Sequence, residues 1–428
     1  MKVRIIKQGI NGEGIAYYKR KPIFIDGVIK DEDVIIDNLK DYGTYYKASL
    51  RQIITKSKYR IKSKCEYYKR CGACSLLHVD YQMQLKIKAE IIKESAYKYA
   101  GLKLDPKIIK NDETFNYRSE LKLPLINHHH KLSLAFYEVN SNISFSVKKC
   151  LIHDENLEKM ARLILSHLDE LGLKAKYKKE KGLRYLILRR LSDNYQAELI
   201  SDDPKHLSLI KKMKVIPKLS LTYSFNESKY PLLKQAKAIK IFGDERIKYT
   251  LFDKSFYISN RSFMQLNLNQ SMKAYKKIID KIEKAGVIVE EYAGCGILAM
   301  LLAHKCQKYY AAEINPYAIS DFKLNSQLNK IKNIIIKESD AAKHLKIINE
   351  NIDYLILDPA REGLNEEMLK TIKKKKINNI VYMSCNHATL FKNLNHLLKD
   401  YMIDEMFFYD FFSHSAHIES LVFLKKIN

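Results

Sequence analysis

The chain has no tryptophan, and only 14 glycines and 8 prolines among 428 residues. That scarcity excludes collagen-like and low-complexity linker architectures. Long apolar runs are also missing. The longest, residues 292–303, has 12 residues, against the roughly 18–20 that a membrane-spanning helix needs. The amino terminus, MKVRIIKQGINGEG, lacks the apolar core of a secretory signal. These absences lead us to expect a soluble, cytoplasmic protein with no membrane partner, and a monomer by default. Seven cysteines in such a chain are not expected to form structural disulfides, so metal-binding and catalytic roles come first. Acids are scarce as well: 49 Asp and Glu stand against 75 Lys and Arg, a formal charge of +26. A biased genome explains Lys in place of Arg but not so few acids. The surplus points to a polyanionic partner, nucleic acid first.

At roughly 150 residues per domain the length suggests two or three domains, and three regions differ in pattern. Residues 1–55 contain short strand-like runs (KVRIIKQ, NGEGIAYYKRKPIFI, DEDVIIDNLK, YYKASLRQII) at a spacing that predicts a small closed barrel. Residues 56–240 are mixed, with an amphipathic helix after Tyr81, a second over LEKMARLILSHLDELG, and strands at RYLILRR and AELIS. This region opens with Lys56, Lys58, Tyr59, Arg60, Lys62, Lys64, Tyr67, Tyr68, Lys69 and Arg70. Cations track phosphates and aromatic faces stack on bases, so the stretch suits single-stranded RNA; a solvated linker with packed tyrosines has the same composition. From 241 to 428 the short apolar runs GVIVEEY, KYYAAEI, NIIIKE, DYLILD and NIVYMS are each followed by a helical pattern. That alternation predicts an α/β domain with a parallel sheet covered by helices. MFFYDFF and ESLVFLKK read as a closing edge hairpin.

An open parallel sheet binds ligands at the carboxyl ends of its strands. After the first of these runs comes YAGCG at 292–296, and Gly294 and Gly296 there allow close backbone approach. The second run ends in Glu313, 17 residues after Gly296, where a carboxylate can accept from ribose hydroxyls. Together they point to an adenosine-containing cofactor, either a dinucleotide or S-adenosylmethionine. The fourth run ends in Asp358 and the fifth in Ser384-Cys385-Asn386, which puts a candidate thiolate nucleophile at the ligand edge. Cys65, Cys71 and Cys74 follow a C-x5-C-x2-C spacing, with Cys150 far downstream. Four thiolates hold either tetrahedral zinc or an iron–sulfur cluster.

With these residues in place, the chain resembles the bacterial RNA (uracil-5-)-methyltransferases, which make 5-methyluridine in 23S ribosomal RNA or in the tRNA T-loop. The resemblance runs through GEGIAYY, KCEYYKRCGACSLLHVDYQMQLK, YRSELKLPL, SFMQLN, YAGCG, AEINP, LDPAREGL, YMSCNHATL and HSAHIES, in that order. It implies a TRAM-type, OB-like RNA-binding barrel over 1–55, a central α+β domain with an iron–sulfur cluster over 56–240, and a Rossmann-like class I methyltransferase domain over 241–428. It further implies that Cys65, Cys71, Cys74 and Cys150 hold a [4Fe–4S] cluster. Gln265, Tyr292, Glu313 and Asp358 would line the S-adenosyl-L-methionine site. Cys385 would be the nucleophile and Glu419 the base. The cluster segment and barrel lean towards 23S rRNA, with tRNA as the alternative. Rival readings are a non-catalytic RNA-binding or assembly protein, a radical methylthiotransferase and a nicotinamide dehydrogenase.

The chemistry explains the residue types. Carbon 5 of uracil is a poor nucleophile, and addition of a thiolate at carbon 6 makes it an enolate carbon able to take a methyl group. A base must then remove the carbon 5 proton so that the cysteine can leave. The sequence departs from the family's usual motifs in four places. Ala293 and Cys295 stand within the glycine turn, and CGAC replaces CGGC. His387 follows Asn386 where proline is usual, and Ser413-His414-Ser415 replaces PHT. No reactive residue is lost.

Overall fold

Alternating burial along the first strands explains how they pack. In the computed structural model, which describes residues 1–228 and 238–427, Ile23 and Ile25 on one strand and Val34 and Ile36 on another point into one core with Ile5, Ala16, Val28 and Tyr46. The chain divides into two units. The first comprises Met1–Thr114, Pro359–Leu369 and Tyr382–Asn428, the second Phe115–Asp358 and Lys370–Val381.

In the first unit, strands Lys2–Arg4, Lys7–Gln8, Gly14–Tyr18, Lys21–Ile25, Asp33–Asp41 and Tyr46–Thr55 form one sheet, in the order first, fifth, sixth, fourth, third, second. The two outermost strands of that order are separated in the chain only by Ile5 and Ile6. The Ile5 amide donates to the Glu32 carbonyl (2.9 Å) and the Ile6 amide to the Ile15 carbonyl (2.8 Å). One segment thus bonds to both ends of the sheet, which closes on itself. Glu32 lies fully buried at its base. It accepts from Arg60 Nε (2.6 Å) and Nη2 (2.7 Å) and from the amides of Ile29 and Ser57. Burial alone would raise this carboxyl, but the Arg60 bonds and the amides hold it below its ordinary range. Arg60, counted in sequence with the basic stretch, is therefore a structural cation. Lys56, Lys58, Lys62, Lys64, Lys69 and Arg70 of that stretch are exposed.

The rest of the first unit includes two long helices and three strands. Helix Tyr81–Ala100 is capped by Asp80, which accepts from the Gln82 and Met83 amides, and it ends at Gly101 in the left-handed region. It packs against helix His387–Leu397. Strands Tyr401–Tyr409 and Glu419–Lys426 pair antiparallel, as the closing runs led us to expect. They are not the edge of their sheet, however, because Ile108–Ile109 adds in parallel outside Tyr401–Tyr409.

The second unit carries two sheets and a hairpin. Seven strands take the order Ser144–Ser146, Lys131–Tyr137, Glu120–His128, Leu183–Leu191, Asn194–Ser201, Leu219–Phe225, Ala238–Phe242. Their core packs on helix Glu155–Glu170, whose Leu157, Ala161, Ile164, Leu165 and Leu168 recur at helical spacing. The runs expected at 157–172, 184–190 and 197–201 appear as helix Glu155–Glu170 and as strands Leu183–Leu191 and Asn194–Ser201. The hairpin Arg246–Leu251 with Lys254–Ser259 is bound to helix Pro316–Leu328. The amides of Tyr257 and Ser259 donate to Asn325 (2.7 Å) and Asp321 (2.8 Å).

The second sheet holds the predicted parallel runs. Ile334–Glu338, Cys306–Glu313, Ala285–Glu291 and Tyr354–Leu357 lie side by side and all parallel, followed by the start of Asn379–Ser384. In chain order this is 3-2-1-4-5, and the order reverses between strands 1 and 4. That switch point leaves a crevice above the carboxyl ends, the usual ligand position in open α/β sheets. No helix among the described residues is long and apolar enough to cross a membrane.

Candidate active site

Register places three of the expected cofactor residues in a row. Glu291 pairs with both Ala312 and Leu357. Tyr292, Glu313 and Asp358, each the next residue on its own strand, therefore stand abreast at the switch point. Tyr292 has φ 64° despite its side chain, a conformation costing about 1–2 kcal/mol that recurs at ligand sites. Gly294 and Gly296 follow at φ 56° and 82°. A Cβ at Gly296 would lie 2.3 Å from the Phe322 ring, whereas one at Gly294 would meet nothing within 4 Å. Gly296 thus serves helix packing, and Gly294 leaves an open side by which a ligand can reach the backbone. Gly296→Ala is expected to cost about 2–4 kcal/mol of stability by combining a clash with a positive φ. Gly294→Ala is expected to cost about 1–2 kcal/mol from φ alone. Thermal unfolding of the two variants checks the ranking; equal losses would contradict it.

The Glu313 carboxylate sits against this turn. Oε2 accepts from the Gly294 amide (3.0 Å), and Oε1 accepts from the amides of Ile314 and Asn315 (both 2.8 Å). A carboxylate offers about four acceptor positions, so Oε2 retains capacity for a hydroxyl. Gln265 is half-buried on a loop pinned at both ends. Arg189 Nη2 donates to the Ser262 carbonyl (2.9 Å), and the Ser119 amide to the Leu266 carbonyl (2.9 Å). Asn315 Nδ2 donates to the Arg261 carbonyl (3.1 Å), tying this loop to the segment just after Glu313.

The floor beneath is acidic. Burial pushes Asp358 up to about 6. Burial, with Asp358 and Glu313 nearby, pushes Glu290 up to about 8, although Tyr309 donates to its Oε2 at 2.8 Å. Burial pushes Glu291 up to about 10 and its partner His344, at 2.8 Å, down to about 4. The pair is a neutral acid beside a neutral imidazole. Asp340, unnoticed in the sequence, caps helix Ala341–Ile347, and its charge acts on both Tyr292 and Glu291. It follows the strand Ile334–Glu338 as Glu313 ends the neighbouring one, and that repetition was its only signal.

Glu290 supplies a pH test. Its folded value lies above the ordinary 4.5, so the folded state retains a proton that the unfolded state releases. The associated stability is full below about pH 4.5 and is lost as pH rises towards about 8. Glu290→Gln keeps an acceptor for Tyr309 and cannot ionise. Thermal unfolding from pH 5 to 9 should fall less steeply in this variant, by a few kcal/mol across the window. Superimposable pH profiles would contradict the assignment.

The expected nucleophile and base lie in the first unit. Cys385 is half-buried and follows strand Asn379–Ser384, whose neighbour in the sheet is the strand that Glu419 begins. Proline at the first position of a helix would fix φ; here His387 occupies it and hydrogen bonds hold the loop instead. Asn386 accepts from the Ala388 amide (3.1 Å), and its Nδ2 donates to the Arg361 carbonyl (3.0 Å), which also accepts from Thr389 Oγ1 (3.1 Å). The loop after Asp358 and the loop of Cys385 are thereby joined at Arg361. Burial, with His417 beside it, pushes His387 down to about 4, so its imidazole is neutral at this helix start. Glu419 is buried, and its Cα is opposite Tyr409.

The four candidate cluster cysteines divide. Cys65, Cys71 and Cys74 lie half-buried in the first unit around the helical turn Tyr68–Cys71, which ends at Gly72 with φ 67°. Cys150 lies in the second unit. Burial alone would raise its thiol, but the His153 hydrogen bond and charge hold it below the ordinary range. Glu158 accepts from the Cys150 amide and from His153 Nδ1, both at 3.0 Å. Among the described residues no group of three or more His, Cys, Asp or Glu side chains is arranged to hold a metal ion. Spacing alone suggested more than this geometry displays, although the donor chemistry, half-buried thiols and one favoured thiolate, suits a thiolate-bound group.

The open parallel order and the glycine turn abreast of two acids give the fold of a class I methyltransferase. The family profile described as tRNA (Uracil-5-)-methyltransferase matches residues 80–427, and the chain belongs to that family. RNA methyltransferases of Bacillus cereus and Halalkalibacterium halodurans are each 29% identical, with 98% of this chain and 95% of the relative covered. The Pyrococcus abyssi tRNA (uracil-54, C5)-methyltransferase, solved with S-adenosyl-L-homocysteine, shares the fold at TM-score 0.80 and 22% identity over 99% of both chains.

Proposed function

We propose that this protein transfers a methyl group from S-adenosylmethionine to carbon 5 of a uridine in RNA through a covalent Cys385 adduct. The observation that carries the proposal is the family match over residues 80–427, joined to Cys385 and Glu419 at the ends of neighbouring strands. S-adenosylmethionine supplies an electrophilic methyl group. Glu313 and Asp340 bind its ribose and base, Tyr292 and Gln265 line it, and Asp358 closes the floor. Cys385 adds to carbon 6, carbon 5 takes the methyl group, and Glu419 removes the carbon 5 proton.

The closed barrel over 1–55, read as TRAM-type, and the exposed lysines after it hold the RNA in this account. 23S rRNA is the favoured substrate. A second reading, the tRNA T-loop, draws support from the Pyrococcus abyssi enzyme. That enzyme is described as acting on tRNA and covers the full length of this chain, so having these segments does not separate the two substrates. Methylation of unmodified 23S rRNA against unmodified tRNA, with labelled cofactor, decides between them.

Cys65, Cys71, Cys74 and Cys150 would hold the [4Fe–4S] cluster, whose role is structural because methyl transfer consumes no electron. Purified protein should be brown, with about four irons per chain and broad absorption near ~400 nm. Colourless protein with one zinc would remove the cluster and leave the methyl transfer intact.

A further inference from the structure

One fully buried lysine commits its donors to the loop that precedes Glu419. Lys88, on helix Tyr81–Ala100, and Asp410, directly after strand Tyr401–Tyr409, both have side chains with no exposure. Lys88 Nζ donates to Asp410 Oδ1, to the Phe412 carbonyl (3.2 Å) and to the His417 carbonyl (3.0 Å). These acceptors bracket the loop, the last of them two residues before Glu419. Asp410 Oδ2 accepts from Tyr81 OH and Ser413 Oγ, each at 2.7 Å. Asn111 Nδ2 donates to Ser413 Oγ at 3.2 Å. Gln84, one turn earlier on the same helix face, accepts from the His414 amide (3.0 Å) and donates to His414 Nδ1 (3.1 Å). His414 itself takes φ 68°.

Stability alone does not account for such an arrangement. A buried ion pair is often matched or bettered by well-packed apolar residues. An ammonium, however, has three donors, and here they fix both ends of one loop. Ser413 stands where the resembled family usually has proline, and hydrogen bonds to Asp410 and Asn111 take the place of a ring-fixed φ. We propose that Lys88, acting through Asp410 and the carbonyls of Phe412 and His417, is a positioning residue that orients Glu419 for removal of the carbon 5 proton. The inference rests on the assignment of Glu419 as base made above. In that step the proton passes from carbon 5 to the Glu419 carboxylate. The C–H electron pair re-forms the C5–C6 double bond, the C6–S bond breaks, and its pair returns to Cys385 as thiolate. Loosening the loop slows this elimination and leaves thiolate addition and methyl transfer in place.

The test is a single-turnover assay of full-length protein with RNA and methyl-labelled S-adenosylmethionine, following methyl incorporation and denaturation-resistant RNA–protein adduct separately. Lys88→Met with Asp410→Asn removes both charges and leaves none buried without a partner. Ser413→Ala is the milder second variant, should the double variant fail to fold. Both are expected to accumulate adduct, with release slowed at least about tenfold, since a misplacement near 1 Å costs on the order of 100-fold. Cofactor affinity should stay within about twofold, because no cofactor-lining residue is touched. Release at the wild-type rate, while Glu419→Gln traps adduct, would overturn the proposal. A parallel fall of methyl incorporation and release would show a merely structural role and overturn it equally. If Glu419→Gln traps nothing, the base assignment itself fails, and the positioning role falls with it.

Discussion

Glu419→Gln protein incubated with RNA and S-adenosylmethionine is expected to run on a denaturing gel as a slower band that carries both RNA and the transferred methyl group. Thiolate addition at carbon 6 and methyl transfer at carbon 5 need no base at position 419, so both proceed. Elimination needs the carbon 5 proton removed, and an amide cannot accept it. Glutamine is isosteric and retains an acceptor, so the buried position opposite Tyr409 should hold. Turnover is expected to fall on the order of 100-fold or more, with the trapped fraction approaching one adduct per chain. Full turnover without a slower band would show that another group takes the proton.

Cys385→Ala should lose the reaction outright, by on the order of 10⁴-fold or more, as when a nucleophile is removed from an enzyme that works by covalent catalysis. The substitution is small, and the loop keeps the Asn386 and Thr389 bonds to the Arg361 carbonyl. Cofactor binding should therefore be unchanged, and equilibrium binding of S-adenosylhomocysteine serves as the control. Alanine also forms no adduct when combined with Glu419→Gln, so the double variant should show no slower band. A band in the double variant would move the covalent bond to a different residue.

The parallel sheet was legible because its central strands, Ala285–Glu291, Tyr354–Leu357 and Asn379–Ser384, are buried on both faces and read as short continuous apolar runs closed by polar residues. The same runs located Tyr292, Glu313, Asp358 and Cys385 at strand ends, and the structure aligns the first three in register. What escaped the sequence depends on distant partners. Ile108–Ile109 is too short for any periodicity to announce it, yet it covers the strand expected to form the edge. Arg60 looked like part of a basic surface until Glu32, 28 residues away, was seen to hold it. Asp340 passed unnoticed in the sequence, and the structure shows it capping helix Ala341–Ile347. Lys88 had a signal that went unread: it lies four residues from both Gln84 and Ile92, on the buried stripe of its helix, where a solvated lysine does not belong. The cysteine spacing suggested a formed metal group, and among the described residues no three or more His, Cys, Asp or Glu side chains are arranged to hold an ion.

The most direct test of the central claim is to incubate the protein with methyl-labelled S-adenosylmethionine and unmodified 23S rRNA or tRNA, digest the RNA, and identify the labelled nucleoside. The account predicts 5-methyluridine and no other labelled nucleoside. Label on a purine or on the ribose would contradict it, because addition of Cys385 to carbon 6 activates carbon 5 of a pyrimidine; labelled 5-methylcytidine would contradict the choice of uracil.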